Sequence, residues 1–272
     1  MKTAIVRNTF HDRSAFLQLS LEYQKLADLS DTIETFVFVD PHPVNGYTED
    51  YDSVITDDLK RINFDNNVGR LSWYTAVKHM FDNYDYDHII SIEDDIIISK
   101  DYLRICYKII EDSVLEKHDD VLYFHIGAWE KPKGNKNTIV RSSASLRSAL
   151  IGRDKFFKYV DKFYKENTDF RGFDLDLQDI LNANNLTSIA PIRNRHGHFG
   201  VYGWSSNGIH GDERGKDSIF ESNISHEKLY NILKKICLSK SKLLKLNNNM
   251  NPSYFWNFNP EIEFSEVKYD LL

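Results

Sequence analysis

The stretch "HIISIEDDIIIS", residues 88–99, carries Glu93, Asp94 and Asp95 inside an otherwise apolar run. Three adjacent carboxylates repel one another and are costly to desolvate, so a buried position needs a cation or dense hydrogen bonding. Hard carboxylate oxygens suit magnesium or manganese, ions that bridge diphosphate oxygens well. A solvated acidic turn without an ion is the plain alternative. A second group, "DFRGFDLDLQDIL", sets Asp174 and Asp176 just after Gly172. Carboxylates at a helix start are stabilised by free backbone donors, so capping explains them. The chemical reading is a general base that takes a proton from a hydroxyl, with Asp174 ahead of Asp176. Asp169 and Asp179 suit capping or solvation. A third group, "RNRHGHFGVYGWSSNGIHGDERGK", holds six of the chain's 12 glycines together with His196, His198 and His210. Neutral imidazole suits manganese as well as zinc, and a mobile glycine-rich loop can exclude water. The bland reading of the HxH pair is packing and hydrogen bonding.

These residues need elements to hold them. "TAIVRN" reads as a strand, followed by a helix through "SAFLQLSLEYQKLADL" with Phe16, Leu19, Tyr23 and Leu26 on one face. "ETFVFVD" is a second strand ending at Asp40, and "DSVIT" a third. "NNVGRLSWYTAVKHMF" is a helix with Leu71, Tyr74, Val77 and Phe81 along one side, and it delivers the chain to the strand "HIISI". This order predicts an α/β fold, with a mostly parallel central sheet covered by helices. In such a sheet the carboxyl ends of the strands face the ligand crevice, which is where "EDD" emerges. Beyond it, Ser99 is placed to cap the helix "KDYLRICYKIIEDSVLE". "DVLYFHIGAW" and "LRSALIG" are strands, "EKPKGNKNTIVRSS" an exposed loop, "DKFFKYVDKFYKE" and "GFDLDLQDILNAN" helices, and "LTSIAPI" a final strand or sheet edge. The glycine-rich segment is too rich in glycine for a regular element. From about residue 218 a helical "EKLYNILKKICL", a Lys/Asn tract and the aromatic "PSYFWNF" form an extension, packed on the main domain or free as an interaction arm.

The chain has 272 residues, 41% of them hydrophobic and 28% charged, enough for a full core without covalent staples. A formal net charge of −7 disfavours nucleic acid as a partner. Cys106 and Cys237 form no CxxC arrangement, which argues against a disulfide framework or thiolate metal site and for a reducing compartment. No signal-type or membrane-spanning apolar run is present, so the expected location is cytoplasmic, with peripheral membrane contact through the extension open. Trp129 and Trp204 suit sugar stacking or core anchoring, and Arg141, Arg147, Arg193 and Arg195 suit phosphate or a charged acceptor.

The run "NNVGRLSWYTAVKHMFDNYDYDHIISIEDDIIISKDYL" resembles the nucleotide-sugar-binding half of the GT-A glycosyltransferases. It is most similar to the N-acetylglucosaminyltransferase I type, with E-D-D at the DxD position. The resemblance implies a catalytic domain over 1–217, divided into a nucleotide-sugar-binding half at 1–103 and an acceptor-binding half at 104–217, with 218–272 as the extension. It implies that Asp95 holds manganese or magnesium while Glu93 and Asp94 contact ribose or sugar hydroxyls. Arg7, just beyond the first strand, and Asp40 would grip base and ribose, and Arg70 would reach the diphosphate or sugar. His210, with His198 as the competitor, would complete the metal site. Asp174 or Asp176 would be the base of an inverting transfer from a UDP- or GDP-sugar to a glycan or glycoconjugate hydroxyl. A metal-dependent phosphoester hydrolase or nucleotidyltransferase, or a non-catalytic carbohydrate-binding protein, would use many of the same residues. The sequence leaves sugar, acceptor and oligomeric state open.

Overall fold

Along the strand Glu34–Asp40 (β2) alternate side chains part company: Phe36 and Phe38 enter one apolar cluster, Val37 and Val39 another. A strand apolar on both sides belongs inside a sheet with both faces covered. The computed structural model describes residues 1–46, 48, 50–127, 138–142, 148–192, 194–198, 225–238, 261–262 and 264–271. Among them, β1 (Thr3–Phe10), β2, β3 (Leu59–Asn63) and β4 (His88–Glu93) form a parallel block ordered β3-β2-β1-β4. A short strand β5 (Ile96–Ile98) leaves the main sheet after β4. Beyond β4 the sheet continues through β6 (Val121–His125), β7 (Thr138–Ser142), β8 (Ser148–Gly152), β9 (Thr187–Pro191), β10 (His196–His198) and β11 (Lys268–Asp270), β10 alone pairing outside it, with β5. The full order is β11-β7-β9-β6-β8-β4-β1-β2-β3. β8 runs antiparallel to both neighbours and β7 to β9, while β6–β9 and β7–β11 are parallel.

Helices cover both faces. On the side of Ile5 and Val37 lie α1 (Ser14–Lys25), then, after α2 (Ser72–Asn83) on the other side, α3 (Tyr102–Glu111) and the short α4 (Val114–Lys117). With α2, on the side of Ala4, Phe36 and Phe38, pack α5 (Arg153–Lys155), a π-helical turn at Phe156–Asp161, α6 (Lys162–Glu166) and α7 (Phe173–Asn184). The expected mixed α/β architecture, a large central sheet flanked by helices, is therefore present.

Several local expectations are corrected. The stripe Phe16–Leu19–Tyr23 of α1 packs on α8 (His226–Leu238) around Leu233 and on Ile97 of β5, while Leu17 and Leu21 meet Val37 and Val39; Leu26, expected on the same face, lies past the helix end and is exposed. α1 is sandwiched, so it has two apolar faces. "DSVIT" is a turn, with the Val54 and Ile55 N–H groups donating to the Tyr51 carbonyl at 2.9 and 2.8 Å. The third parallel strand is β3, whose half-exposed edge position needs no apolar run. β7 forms where a loop was expected, β9 lies inside the sheet between β7 and β6, and β10 forms in the glycine-rich segment. Ser99 does not cap α3; its hydroxyl donates to Asp101 at 2.7 Å and the helix begins at Tyr102. Ser113, at φ 53°, breaks the expected long helix into α3 and α4.

The described parts of 218–272 lie on the main body. His226 of α8 is hydrogen-bonded to Ser14 at 2.7 Å and Gln18 at 2.8 Å, and β11 extends the sheet beside β7. Among the described residues no helix is long and apolar enough to cross a membrane.

Candidate active site

β4 carries Ile89, Ile90 and Ile92 into the core and ends at Glu93, which stands opposite Asn8 of β1. Asp94 and Asp95 then form a turn before β5, at the carboxyl edge shared by β1, β2 and β4. Both aspartates are buried, and so is the cation beside them. Arg13, just past β1 and only 4% exposed, places one guanidinium nitrogen 2.6 Å from Asp95 Oδ2 and 3.1 Å from Asp94 Oδ1. Its ring partner is Phe16, 4.7 Å below the guanidinium carbon, and its backbone N–H donates to the Tyr51 hydroxyl at 3.1 Å. Thr9 donates to the other Asp94 oxygen at 2.8 Å. Burial alone would pull the Arg13 guanidinium down, but the charges of Asp94, Asp95 and Glu93 outweigh it and hold Arg13 charged. Burial raises the Asp94 carboxyl, Arg13 counters it, and the neighbouring Asp95 charge adds to the rise.

Arg7 lies within β1 rather than beyond it, and it points under the acidic turn. Its guanidinium donates to Gln24 at 2.8 Å, Ser20 at 2.5 Å and the Glu93 carbonyl at 3.1 Å. Complete burial pulls it down to about 9, against the pull of Asp94. The polar face of α1 therefore supports β4 from below. Asp40 ends β2 as expected, and its two oxygens accept the backbone N–H groups of Val68 and Gly69 at 2.9 and 2.8 Å. Burial raises its carboxyl, those two donors and His11 oppose the rise, and the loop entering α2 is pinned to the sheet edge. His11 meets His42 edge-on at 4.7 Å, so the ends of β1 and β2 make a polar rim beside the acids. Arg70 is exposed on the 3-10 turn before α2 and donates to the Phe170 carbonyl at 3.2 Å.

That bond ties the loop before α7 to the turn that enters α2. Gly172, at φ 114°, turns this chain into α7, a conformation that side-chain-bearing residues rarely adopt. Phe173 then packs on Trp73 at 4.4 Å, and Trp73 donates to Ser91 of β4 at 2.9 Å. Asp174 projects from the first turn of α7 into solvent. Asp176 is 1% exposed and accepts bonds from the Tyr164 hydroxyl and the Arg171 backbone, both at 3.0 Å. Burial raises the Tyr123 phenol of β6, the Ser188 hydroxyl opposes that rise, and the Asp174 charge adds to it. There Tyr123 and His125 share one face, their rings 6.0 Å apart. His125 is fully buried and held neutral, its ring pulled down to about 3 by that burial.

The β5–β10 pairing sets His198 opposite Ile96, one residue past Asp95, and His196 opposite Ile98. His210, Trp129, Trp204, Arg147 and Arg193 lie outside the described residues. Arg141 pairs with Asp120 and donates to the Leu271 carbonyl at 2.8 Å, and Arg195 makes a buried 2.8 Å ion pair with Asp101, so both serve the fold. Among the described residues no three His, Cys, Asp or Glu side chains converge on one metal position. Asp94 and Asp95 nonetheless fit the oxygen chemistry of magnesium or manganese, which take one or two carboxylates and complete their shell with substrate phosphates and water. A cavity of about 400 Å³ opens at the opposite, amino edge beside His88 and Glu116. Of its lining cations, Arg153 and Lys155 are committed to backbone carbonyls of the fold, and Lys158 lies over the Tyr159 ring at 4.8 Å.

Sequence reasoning did not single out Arg13, Thr9, Tyr51 or His125. The run "HDRS" directly after β1 is the available signal for Arg13; a strand expected to stop at Asn8 puts Arg7 rather than Arg13 at its end. Thr9, Tyr51 and His125 sit within ordinary strand or turn patterns that announce nothing.

No family model matches the chain, and no curated protein matches it in sequence. Solved structures do match in shape. The chain is similar to the galactosyltransferase LgtC in complex with donor and acceptor sugar analogs, at 17% identity and a TM-score of 0.41 over 66% of this chain and 70% of that one. It is also similar to TarS residues 1–349 of S. aureus, at 12% identity and a TM-score of 0.44 over 94% and 78%. A third likeness is to the mannosyltransferase PcManGT of Pyrobaculum calidifontis, solved with GDP-Man and Mn2+, at 10% identity and 0.41 over 58% and 46%.

Proposed function

We propose that the protein is a metal-dependent glycosyltransferase of the GT-A kind, moving a sugar from a UDP- or GDP-sugar to a hydroxyl of a glycan or glycoconjugate with inversion. The observation that carries this reading is the assembly at one sheet edge. Buried Asp94 and Asp95 at the end of β4, Asp40 at the end of β2 and, tied in by the Arg70–Phe170 bond, the Asp174-bearing start of α7 lie at the carboxyl ends of parallel strands or lead to them. Asp95, with His210 or His198 as a further ligand, would hold a divalent ion, manganese or magnesium, which would supply Lewis acidity for the diphosphate leaving group. Asp40 and the backbone it pins form the nucleotide rim, and Glu93 and Asp94 orient the donor. Arg70 reaches the diphosphate or sugar. Arg7, from its buried place, fixes the position of the acidic turn rather than touching ribose.

Asp174 is the base in this reading. It is exposed on the first turn of α7, whereas Asp176 is buried and accepts bonds from Tyr164 and Arg171. Asp174 accepts the proton of the acceptor hydroxyl as the oxygen attacks the anomeric carbon from the face opposite the leaving diphosphate. Residues 1–217 carry this chemistry, with 218–272 as an extension. Location in the cytoplasm, with contact to a membrane surface through that extension, belongs to the same proposal.

The test is a transfer assay with a panel of UDP- and GDP-sugars, with and without EDTA, followed by NMR of the product's anomeric configuration. The reading expects transfer that EDTA abolishes and an inverted product. A retained configuration would remove the inverting assignment, and full activity in EDTA the metal assignment. Cleavage of simple phosphoesters with no sugar transfer would favour the hydrolase class instead.

A further inference from the structure

Arg13 is the cation paired with both aspartates of the acidic strand end. The oxygens it holds are one from each aspartate, and the three side chains are 5%, 3% and 9% exposed. An exposed pair of this kind would yield readily to a competing ion, because water and salt already screen it. This one is enclosed, and breaking a buried pair leaves uncompensated charge. Arg13 is also anchored at both ends: its backbone by Tyr51, its guanidinium by Phe16. A divalent ion taking an oxygen from each of Asp94 and Asp95 would meet a guanidinium already seated there, and the two cations repel at that range.

We infer that Arg13 is an internal counter-cation that sets the ion affinity of Asp94 and Asp95: a divalent ion that takes Asp95 Oδ2 does so by displacing the guanidinium. The inference deepens the transferase reading and rests on it for the role of Asp95. Arg13 is thereby a positioning residue, since it holds the two carboxylates in place and keeps the ion out until something repays the lost pair. The negative charge of a diphosphate is of the right sign to take Arg13 over.

The experiment measures Mn2+ binding alone, by loss of the free-ion EPR signal, to the full chain and to three variants. Arg13→Gln should bind Mn2+ at least about tenfold more tightly than the unmodified protein, the factor that corresponds to about 1.4 kcal/mol. Arg13→Lys, which keeps a charge but loses the planar fork, should fall between them. The gain should vanish in Arg13→Gln/Asp95→Asn. Mn2+ should also raise the unfolding temperature of Arg13→Gln more than that of the unmodified chain, which reports on the same binding in folded protein. Equal affinity in the unmodified protein and both single variants, or a gain that survives loss of Asp95, would overturn the inference. Nucleotide-sugar binding is measured in parallel. If it is present and the gain absent, the Arg13 inference fails alone; if the gain is present and no nucleotide sugar binds, the transferase reading fails and the counter-cation stands.

Discussion

Asp174 and Asp176 are two residues apart, one exposed and one buried, and the proposed function gives them different work. Asp174→Asn should lower kcat for transfer by roughly 10²–10⁴-fold, the range for removing a general base, with the unfolding midpoint unchanged. Asp176→Asn should do the reverse, because it disturbs buried bonds to Tyr164 and Arg171. Its stability loss should be about 1–3 kcal/mol by urea unfolding, with kcat close to that of the unmodified protein. If the phenotypes are exchanged, Asp176 is the base. His125 makes a prediction in pH. Its folded value, about 3, lies below the ordinary 6.5 because burial disfavours the charged ring. The unfolded chain therefore binds a proton that the folded chain refuses, and stability present above pH 6.5 is lost as pH falls toward 3. Between about pH 6 and pH 4, His125→Leu should lose less stability than the unmodified protein, by about 1 kcal/mol per pH unit. Equal slopes would show that the ring is not held neutral.

At the scale of elements, α1 is the piece on which the site depends. Its polar line, Ser20 and Gln24, holds Arg7 beneath β4, one apolar line meets β2, and the other takes up Leu233 of α8. Leu233→Ala should cost about 2–5 kcal/mol, as for other large-to-small changes in a packed core, and a change under about 0.5 kcal/mol would mean that α8 does not dock there. The same helix shows what a sequence pattern can convey. Phe16, Leu19 and Tyr23 announce a helix correctly but not its partner, because a one-dimensional stripe does not say whether a sheet or another helix covers it. β2 and β4 are legible because buried parallel strands are nearly continuous in apolar residues. β3, β7 and β10 are not, since edge position, flanking lysines and glycine erase the pattern that burial imposes elsewhere. Gly172→Ala should slow transfer several-fold while leaving the core intact. The added methyl meets nothing within 4 Å, so the cost is the strain of a φ of 114°, and it falls on the turn that presents Asp174.

For the whole molecule, the sheet brings to one edge groups that are far apart in sequence: Asp40 and Asp94 at the ends of β2 and β4, the two strands that flank β1, with Arg13, just past β1, paired to Asp94 and bonded through its backbone to Tyr51. The acidic cluster is legible as a candidate site because nothing in a strand core accounts for three carboxylates. Arg13 is not, since a charged residue after a strand is an ordinary loop residue until its partner is known to be buried. Arg7 illustrates the converse: a charge inside a strand stands out, yet its role is to support the site from beneath. The central claim is that this edge binds a nucleotide sugar together with an ion on Asp95. The most direct measurement is a thermal-shift panel of UDP- and GDP-sugars with and without Mn2+, on the unmodified chain and Asp95→Asn. The account predicts that sugars of one carrier raise the unfolding temperature in the presence of Mn2+, and that Asp95→Asn abolishes the rise. No shift with any nucleotide sugar, or a shift that survives both Mn2+ removal and Asp95→Asn, would contradict it.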